Sequence, residues 1–260
     1  MQHFGGGFAL KSPEVRLSLG FKTLAQAASL AALLGALPGC QSIAGNPSVS
    51  QIRIIDASPD APPIDVYQGS SPLAYNLGLG TVTSYVPISP GTYTVNVDQA
   101  GTKQQLVSTA GTFLNGSQYT VLVGNYAASL QAPILKDQSQ AAPSGDVSIR
   151  IVDQSLKTGA VDVYLVASGT TLAGASPLQP AGIAFNTNTG YIDVPAGTYT
   201  LVVVPTGTKV SSTTATLYTG AAVAYAAGAV RTLVLIDTVT TASPSIQVVT
   251  ADDFDPANEG

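Results

Sequence analysis

Gln51–Tyr67 reads QIRIIDASPDAPPIDVY, and Ser148–Tyr164 reads SIRIVDQSLKTGAVDVY. Ile-Arg-Ile, an aspartate soon after it and Asp-Val-Tyr recur at an offset of 97. Ile149 and Ile151 flank Arg150, a period of two that sets successive side chains on opposite faces of a strand. Further on, YVPISPGTYTV (Tyr85–Val95) answers YIDVPAGTYTL (Tyr191–Leu201) at an offset of 106, so about nine residues are added in the second copy within 167–189. YTVLV (Tyr119–Val123) parallels RTLVL (Arg231–Leu235), and Pro133–Leu135 parallels Ile246–Val249. Two units of this size predict two domains in tandem, since a solenoid needs three or more short repeats.

Strand signals fill both copies. Tyr93, Val95 and Val97 alternate with Thr94 and Asn96, while Leu201–Val204 is continuously apolar and suits a central strand covered on both sides. Ser89-Pro90-Gly91-Thr92 fits a type II turn with glycine at its third position. Ala221–Ala229 is the nearest approach to a helix and is ambiguous. Strands every 8–12 residues separated by Gly- and Pro-bearing turns predict an all-β protein: two tandem antiparallel β-sandwich domains, immunoglobulin- or transthyretin-like.

The chain has one cysteine, Cys40, which closes Leu37-Pro38-Gly39-Cys40 behind the short apolar run Leu24–Leu37. Lys11, Arg16 and Lys22 precede that run, which is too short to span a bilayer and has the parts of a secretory signal. The segment resembles a bacterial lipobox, although Pro38 stands where Ala or Ser is usual. The alternative is an ordinary cleaved signal with an incidental cysteine. The lipobox reading makes Cys40 the lipidated first residue of the mature protein, held to a membrane by more than one acyl chain, as stable anchoring requires. Gln41 follows it, which favours an outer membrane in a Gram-negative cell. The expected organisation is a signal peptide over 1–39, a tether over 40–50, a first sandwich over 51–136 and a linker over 137–145. A second sandwich over 146–255 and a tail over 256–260 complete it.

His3 is the only histidine and lies ahead of Cys40, and tryptophan is absent. From Cys40 onward there are seven basic residues, the chain's ten less three, against fourteen acids, for a net charge near −7. Mechanisms that need an imidazole base are thereby excluded from the mature chain, as are zinc and copper sites built on His or Cys. An acidic surface with few Lys and Arg offers no electrostatic footprint for nucleic acid.

Ile54–Pro62 (IIDASPDAP), Ile64–Tyr67 (IDVY) and Pro90–Val95 (PGTYTV) resemble the bacterial family called domain of unknown function 4397. The resemblance implies a secreted or lipid-anchored, β-rich, often tandem protein with no assigned activity. Members often carry a histidine where this chain has Asp56.

Asp56, Asp60 and Asp65 lie within ten residues and are the candidate calcium ligands, because clustered carboxylates supply the oxygens that calcium takes. In the second copy these positions are Asp153, Lys157 and Asp162, so turn capping, or Arg53 and Arg150 bracing the first strands against an aspartate, accounts for the recurring residues more simply. Tyr67, Tyr85 and Tyr93, with Tyr164, Tyr191 and Tyr199, form either a glycan-stacking platform or core and corner packing. Asp252–Asp255 reads as a solvated acidic end. No catalytic residues and no cofactor are assigned. The expected function is a non-catalytic structural or binding module of the cell envelope, attached to the membrane by lipid, with a protein or glycan partner of unknown identity and no nucleic acid. An aspartate-dependent carbohydrate hydrolase and a calcium-stabilised adhesin are the alternatives.

Overall fold

A computed structural model of the chain describes residues 49–238 and 245–255. The expected signal peptide, Cys40, nearly all of the tether and the tail over 256–260 lie outside the described residues. The regular structure of the described part is fifteen strands, arranged as four sheets, with two short 3-10 turns.

In the first half, β1 (Ser50–Asp56), β4 (Val86–Ile88), β7 (Gln118–Val123) and β8 (Ile134–Asp137) form one sheet in the order β4-β1-β7-β8. The facing sheet is β3-β2-β5-β6, from β2 (Ile64–Gln68), β3 (Ser71–Leu77), β5 (Gly91–Gln99) and β6 (Gln105–Phe113). Ile52 and Ile54 of β1, Val121 and Val123 of β7, Val66 of β2 and Val95 and Val97 of β5 fill the space between them. Phe113 is clasped there edge-on by Tyr119 at 5.1 Å.

The second half repeats this arrangement. β9 (Asp146–Gln154), β11 (Thr187–Pro195), β14 (Val230–Asp237) and β15 (Ile246–Phe254) give the order β11-β9-β14-β15, opposite a three-stranded sheet of β10 (Val161–Ala167), β12 (Gly197–Pro205) and β13 (Tyr218–Tyr225) in the order β10-β12-β13. Ile149, Ile151, Val163, Leu201, Val203, Leu233 and Leu235 make its core. Ala221–Tyr225 therefore ends an edge strand. β12 is buried on both faces as its apolar run predicts, with Val202 and Val204 under Tyr164 and Leu172. All named pairings are antiparallel except β1 with β7 and β9 with β14, which run parallel in the middle of the two inner sheets.

The turn before β5 differs from the type II geometry. Gly91 opens the strand at φ 153°, and the Tyr93 ring folds back over it, its hydroxyl 2.9 Å from where a Cβ would stand. The equivalent Tyr199 lies over Gly197 and donates to the Pro195 carbonyl at 2.8 Å. The recurring Gly-Thr-Tyr-Thr is thus a tyrosine corner in both copies; at Gly91 the ring occupies space that only a glycine leaves, whereas at Gly197 a Cβ would stand in ordinary contact, 3.4 Å from the ring.

The described residues belong to one compact unit. The outward faces of the two inner sheets pack on each other: Ile55, Ala57 and Leu122 from one meet Val152, Val234, Ile236 and Ala251 from the other in a third apolar cluster. This explains why β1, β7, β9 and β14 are buried along both faces rather than alternately. The result is four stacked sheets. Asp137, the first residue of the expected linker, ends β8 and is 5 % exposed. Ser50, assigned to the tether, opens β1.

Candidate functional site: the seam between the inner sheets

Arg53 and Arg150 point away from their own cores into this seam and are 2 % and 3 % exposed. Burying a guanidinium requires that its donors and its charge be met, and the seam meets both through a closed circuit. Arg53 Nε donates to Thr120 Oγ1 at 2.8 Å, the residue beside it in the parallel β1–β7 register. Thr120 Oγ1 donates to Asp137 Oδ2 at 2.6 Å, and Asp137 Oδ1 accepts from Arg150 Nη2 at 2.5 Å. Arg150 Nε donates to Thr232 Oγ1 at 3.0 Å, again its neighbour in the parallel register. Thr232 Oγ1 donates to Asp253 Oδ2 at 2.6 Å, and Asp253 Oδ1 pairs with Arg53 Nη2, which completes the loop. Each arginine therefore borrows a threonine from its own sandwich and a carboxylate from the other.

The remaining donors are treated alike on both sides. Arg53 Nη1 bonds the Asp252 carbonyl at 2.8 Å, and Arg150 Nη1 the Lys136 carbonyl at 3.1 Å. Tyr85 and Tyr191 each lie with the ring 4.7 Å from a guanidinium, and each donates its hydroxyl at 2.8 Å to the free lone pairs of Asp137 and Asp253. The antiparallel register sets Tyr191 opposite Arg150. Burial alone would lower the Arg53 pKa, but Asp253, Tyr85 and Asp137 outweigh it and leave it above the ordinary value. Burial also pushes the Asp253 carboxyl up, against the opposing pull of Arg53. Burial, then Asp137, raises the Tyr85 hydroxyl far above its ordinary range, so it stays a donor.

Two facing carboxylates are the minimum for histidine-free glycoside hydrolysis. Asp137 and Asp253 do face each other across the seam, but their side chains have no exposed surface and their oxygens are committed to arginine, threonine and tyrosine. A shallow cleft of about 340 Å³ runs beside Tyr85 and Arg53, walled by Val82, Thr83 and Thr250.

The sequence-derived candidates are placed as follows. Asp56 accepts from the Ser58 N–H at 3.0 Å and Asp153 from the Ser155 N–H at 2.8 Å, so both close turns after the first strand of a sandwich. Burial raises each of these carboxyls to about 6. Asp60 is exposed and accepts from the Ala127 N–H at 2.7 Å. Asp65, on the outward face of β2, accepts from the Asn76 and Gly101 N–H groups at 2.8 and 3.0 Å. The three candidate calcium ligands thus hold four separate pieces of backbone, and no cluster of three or more metal-ligating side chains occurs among the described residues. Asp162 matches Asp65 only in part: Oδ2 accepts from Gly207 at 2.9 Å, while buried Oδ1 has no partner.

Of the six tyrosines, Tyr85 and Tyr191 belong to the seam, Tyr93 and Tyr199 to the corners, and Tyr164 is buried among Val202 and Val204. Tyr67 is on the surface, edge-on to Tyr75 at 5.9 Å, with Lys103 above it at 5.5 Å. They do not form one platform. The acidic end is a correction: Asp252 and Asp253 are in β15, and Asp253 is 4 % exposed inside the ring. Asp137 and Asp253 are the residues that sequence reasoning missed. The parallel of Pro133–Leu135 with Ile246–Val249 lies about three residues out of step with the positions that share a role. The buried arginines were the available signal, because each has to find a carboxylate.

No curated protein matches the chain. Among solved structures, a family 26 carbohydrate-binding module from Eubacterium rectale Amy13K, in complex with maltoheptaose, is 12 % identical with a TM-score of 0.23, covering 78 % of this chain and 98 % of its own. A candidate cell adhesion protein from Bacteroides fragilis NCTC 9343 is 9 % identical with a TM-score of 0.17, covering 78 % and 97 %. The family model described as Domain of unknown function (DUF4397) matches residues 50–164, which contain the whole first sandwich, β9 and the first half of β10. Over that stretch the chain is similar to the DUF4397 family, which supports the resemblance carried by Ile54–Pro62, Ile64–Tyr67 and Pro90–Val95.

Proposed function

We propose that this protein is a lipid-anchored, non-catalytic module of the cell envelope, built from two tandem copies of one sandwich and held away from the membrane on the segment behind Cys40. The observation that carries this reading is the closed Arg–Thr–Asp ring, which engages the paired carboxylates of the seam in holding the copies together and leaves them unavailable to a substrate. A four-sheet body fastened in this way suits a rigid presenter of surface to a protein or glycan partner. The recurrence of Arg53/Arg150, Thr120/Thr232 and Tyr85/Tyr191 supports the tandem origin. Lipidation and outer-membrane location follow from the Leu37–Cys40 segment and Gln41. Among the described residues no helix is long and apolar enough to cross a membrane.

The test has two arms. A Cys40→Ser variant is expected in the aqueous fraction of lysed cells while the parent sediments with membranes, and equal sedimentation contradicts the anchor. Photo-cross-linking in intact cells, read by mass spectrometry, is expected to give a reproducible envelope partner or glycan adduct. Turnover of a carbohydrate substrate that is abolished by substituting one aspartate overturns the non-catalytic reading.

A further inference from the structure

The two sandwiches differ in what covers their outer sheets, and the difference has the form of a binding site. Between β5 and β6 the chain needs only residues 100–104, whereas between β12 and β13 it spends 206–217. A second addition, within 167–189, contains the 3-10 turn Leu172–Gly174 in place of an outer-sheet strand equivalent to β3. Long loops without strand or helix in a small domain are uncommon and tend to be functional. Here both additions converge on the same patch of the outer sheet and border an open pocket of about 320 Å³.

The pocket has an apolar floor of Val166 from β10, Val202 from β12 and Leu172 from the added turn. Its walls are hydroxyl groups from both added segments and the sheet. Ser211 with Thr214, and Thr216 with Thr219, bond each other at 3.2 and 3.0 Å and fix the wall. The Thr171, Thr200 and Ser212 hydroxyls line it with no partner among the described residues. No charged side chain lines it. An ionic ligand would lose hydration there without a counter-charge, which is costly. Hydroxyls both donate and accept, so they match a ligand that does the same around a ring whose C–H face can rest on valine and leucine. The volume is at the small end of ligand sites, which run from roughly 300 to 1,000 Å³, and suits roughly one or two sugar rings.

From this we infer that the open pocket bordered by 206–217 and the Leu172 turn binds a neutral mono- or disaccharide unit, a feature of the second sandwich alone. The inference rests on the reading of the chain as a binding module and names its ligand class. The probe is an array of neutral, sialylated and sulfated glycans, challenged with the full chain in detergent. The expected result is retention on neutral glycans, reduced at least tenfold by Ser212→Arg and by Thr171→Arg. Both are exposed positions where a cation closes the mouth without touching a core. Thr94→Arg, the matching position to Thr200 on the first sandwich, is expected to bind as the parent does. A blank array, retention on acidic glycans only, or neutral binding that survives both arginines overturns the proposal. If the array is blank while in-cell cross-linking still yields a partner, the pocket inference falls and the module reading stands.

Discussion

Replacing Asp253 with alanine removes one acceptor residue from three donors at once. Arg53 Nη2 loses its ion pair, and the Thr232 and Tyr191 hydroxyls lose the oxygen they share. The guanidinium stays where it is, nearly sealed from water, with only Asp137 Oδ2 at 3.8 Å to offset its charge. Breaking a buried pair by removing one partner costs about 3–5 kcal/mol, and each orphaned buried hydroxyl adds about 1–3 kcal/mol. The residual pull of Asp137 and relief from burying the Asp253 charge itself subtract from that sum, so we expect a net loss of about 3–5 kcal/mol. Arg53→Met alone should cost a similar amount, because it strands a buried carboxylate. With both changes made, neither charge is left unmatched, and the double variant should be more stable than the two losses added together predict, by about 2–3 kcal/mol. Urea unfolding at pH 7, followed by tyrosine fluorescence in a chain without tryptophan, gives all four corners of the cycle. A loss under about 1 kcal/mol for Asp253→Ala, as for an exposed charge, or additivity of the two single changes, refutes the reasoning.

Other expectations concern the supporting carboxylates and the close packing. Asp56 and Asp153 titrate near 6 in the folded protein against an ordinary 3.8. The native state therefore binds their protons more tightly, and their contribution to stability is complete below pH 3.8 and lost as pH rises through 6. Two units correspond to about 3 kcal/mol at most for each group. Asp56→Asn with Asp153→Asn keeps the turn acceptors and should flatten this part of the pH–stability curve between pH 4 and 7; an unaltered slope counts against it. Asp65→Asn should destabilise by about 1–3 kcal/mol, since an amide cannot accept from two N–H groups on opposite oxygens. The same change at Asp162, where Oδ1 has no donor, should be close to neutral in the same urea assay. Gly124 lies against the buried Gln154 side chain across the seam, so Gly124→Val should cost about 1–3 kcal/mol by overpacking, read as a lower Tm.

The strands, the two cores and the tyrosine corners were legible because alternation and turn residues report directly on the local backbone. The seam was half legible. In Ile52–Ile55 an arginine shares a face with Ile55, and in Ile149–Val152 another shares a face with Val152. A solvent-facing side would not carry those aliphatics, so the pattern already implied a second buried face. The partners were hidden for a different reason. Asp137 and Asp253 each stand two residues past the partner of their sheet's threonine, Leu135 opposite Thr120 and Ala251 opposite Thr232, but the chain from threonine to aspartate is 17 positions in the first copy and 21 in the second, and that longer hairpin carries Asp253 out of step with a simple repeat alignment. A run of three acids among four residues near the chain end also looks solvated when only its charge is read. Conversely, Asp56, Asp60 and Asp65 looked like a cluster because they are close in sequence. β1 and β2 belong to opposite sheets, so proximity along the chain does not become convergence in space.

The central claim is that reciprocal arginine pairs and a shared apolar patch fuse the two sandwiches into one cooperative body. Differential scanning calorimetry of the parent and of Asp137→Ala/Asp253→Ala tests it most directly. The account predicts one transition for the parent, with calorimetric and van't Hoff enthalpies equal, and two separated transitions once both carboxylates are gone. Two independent transitions in the parent, unchanged by removing the carboxylates, would contradict it.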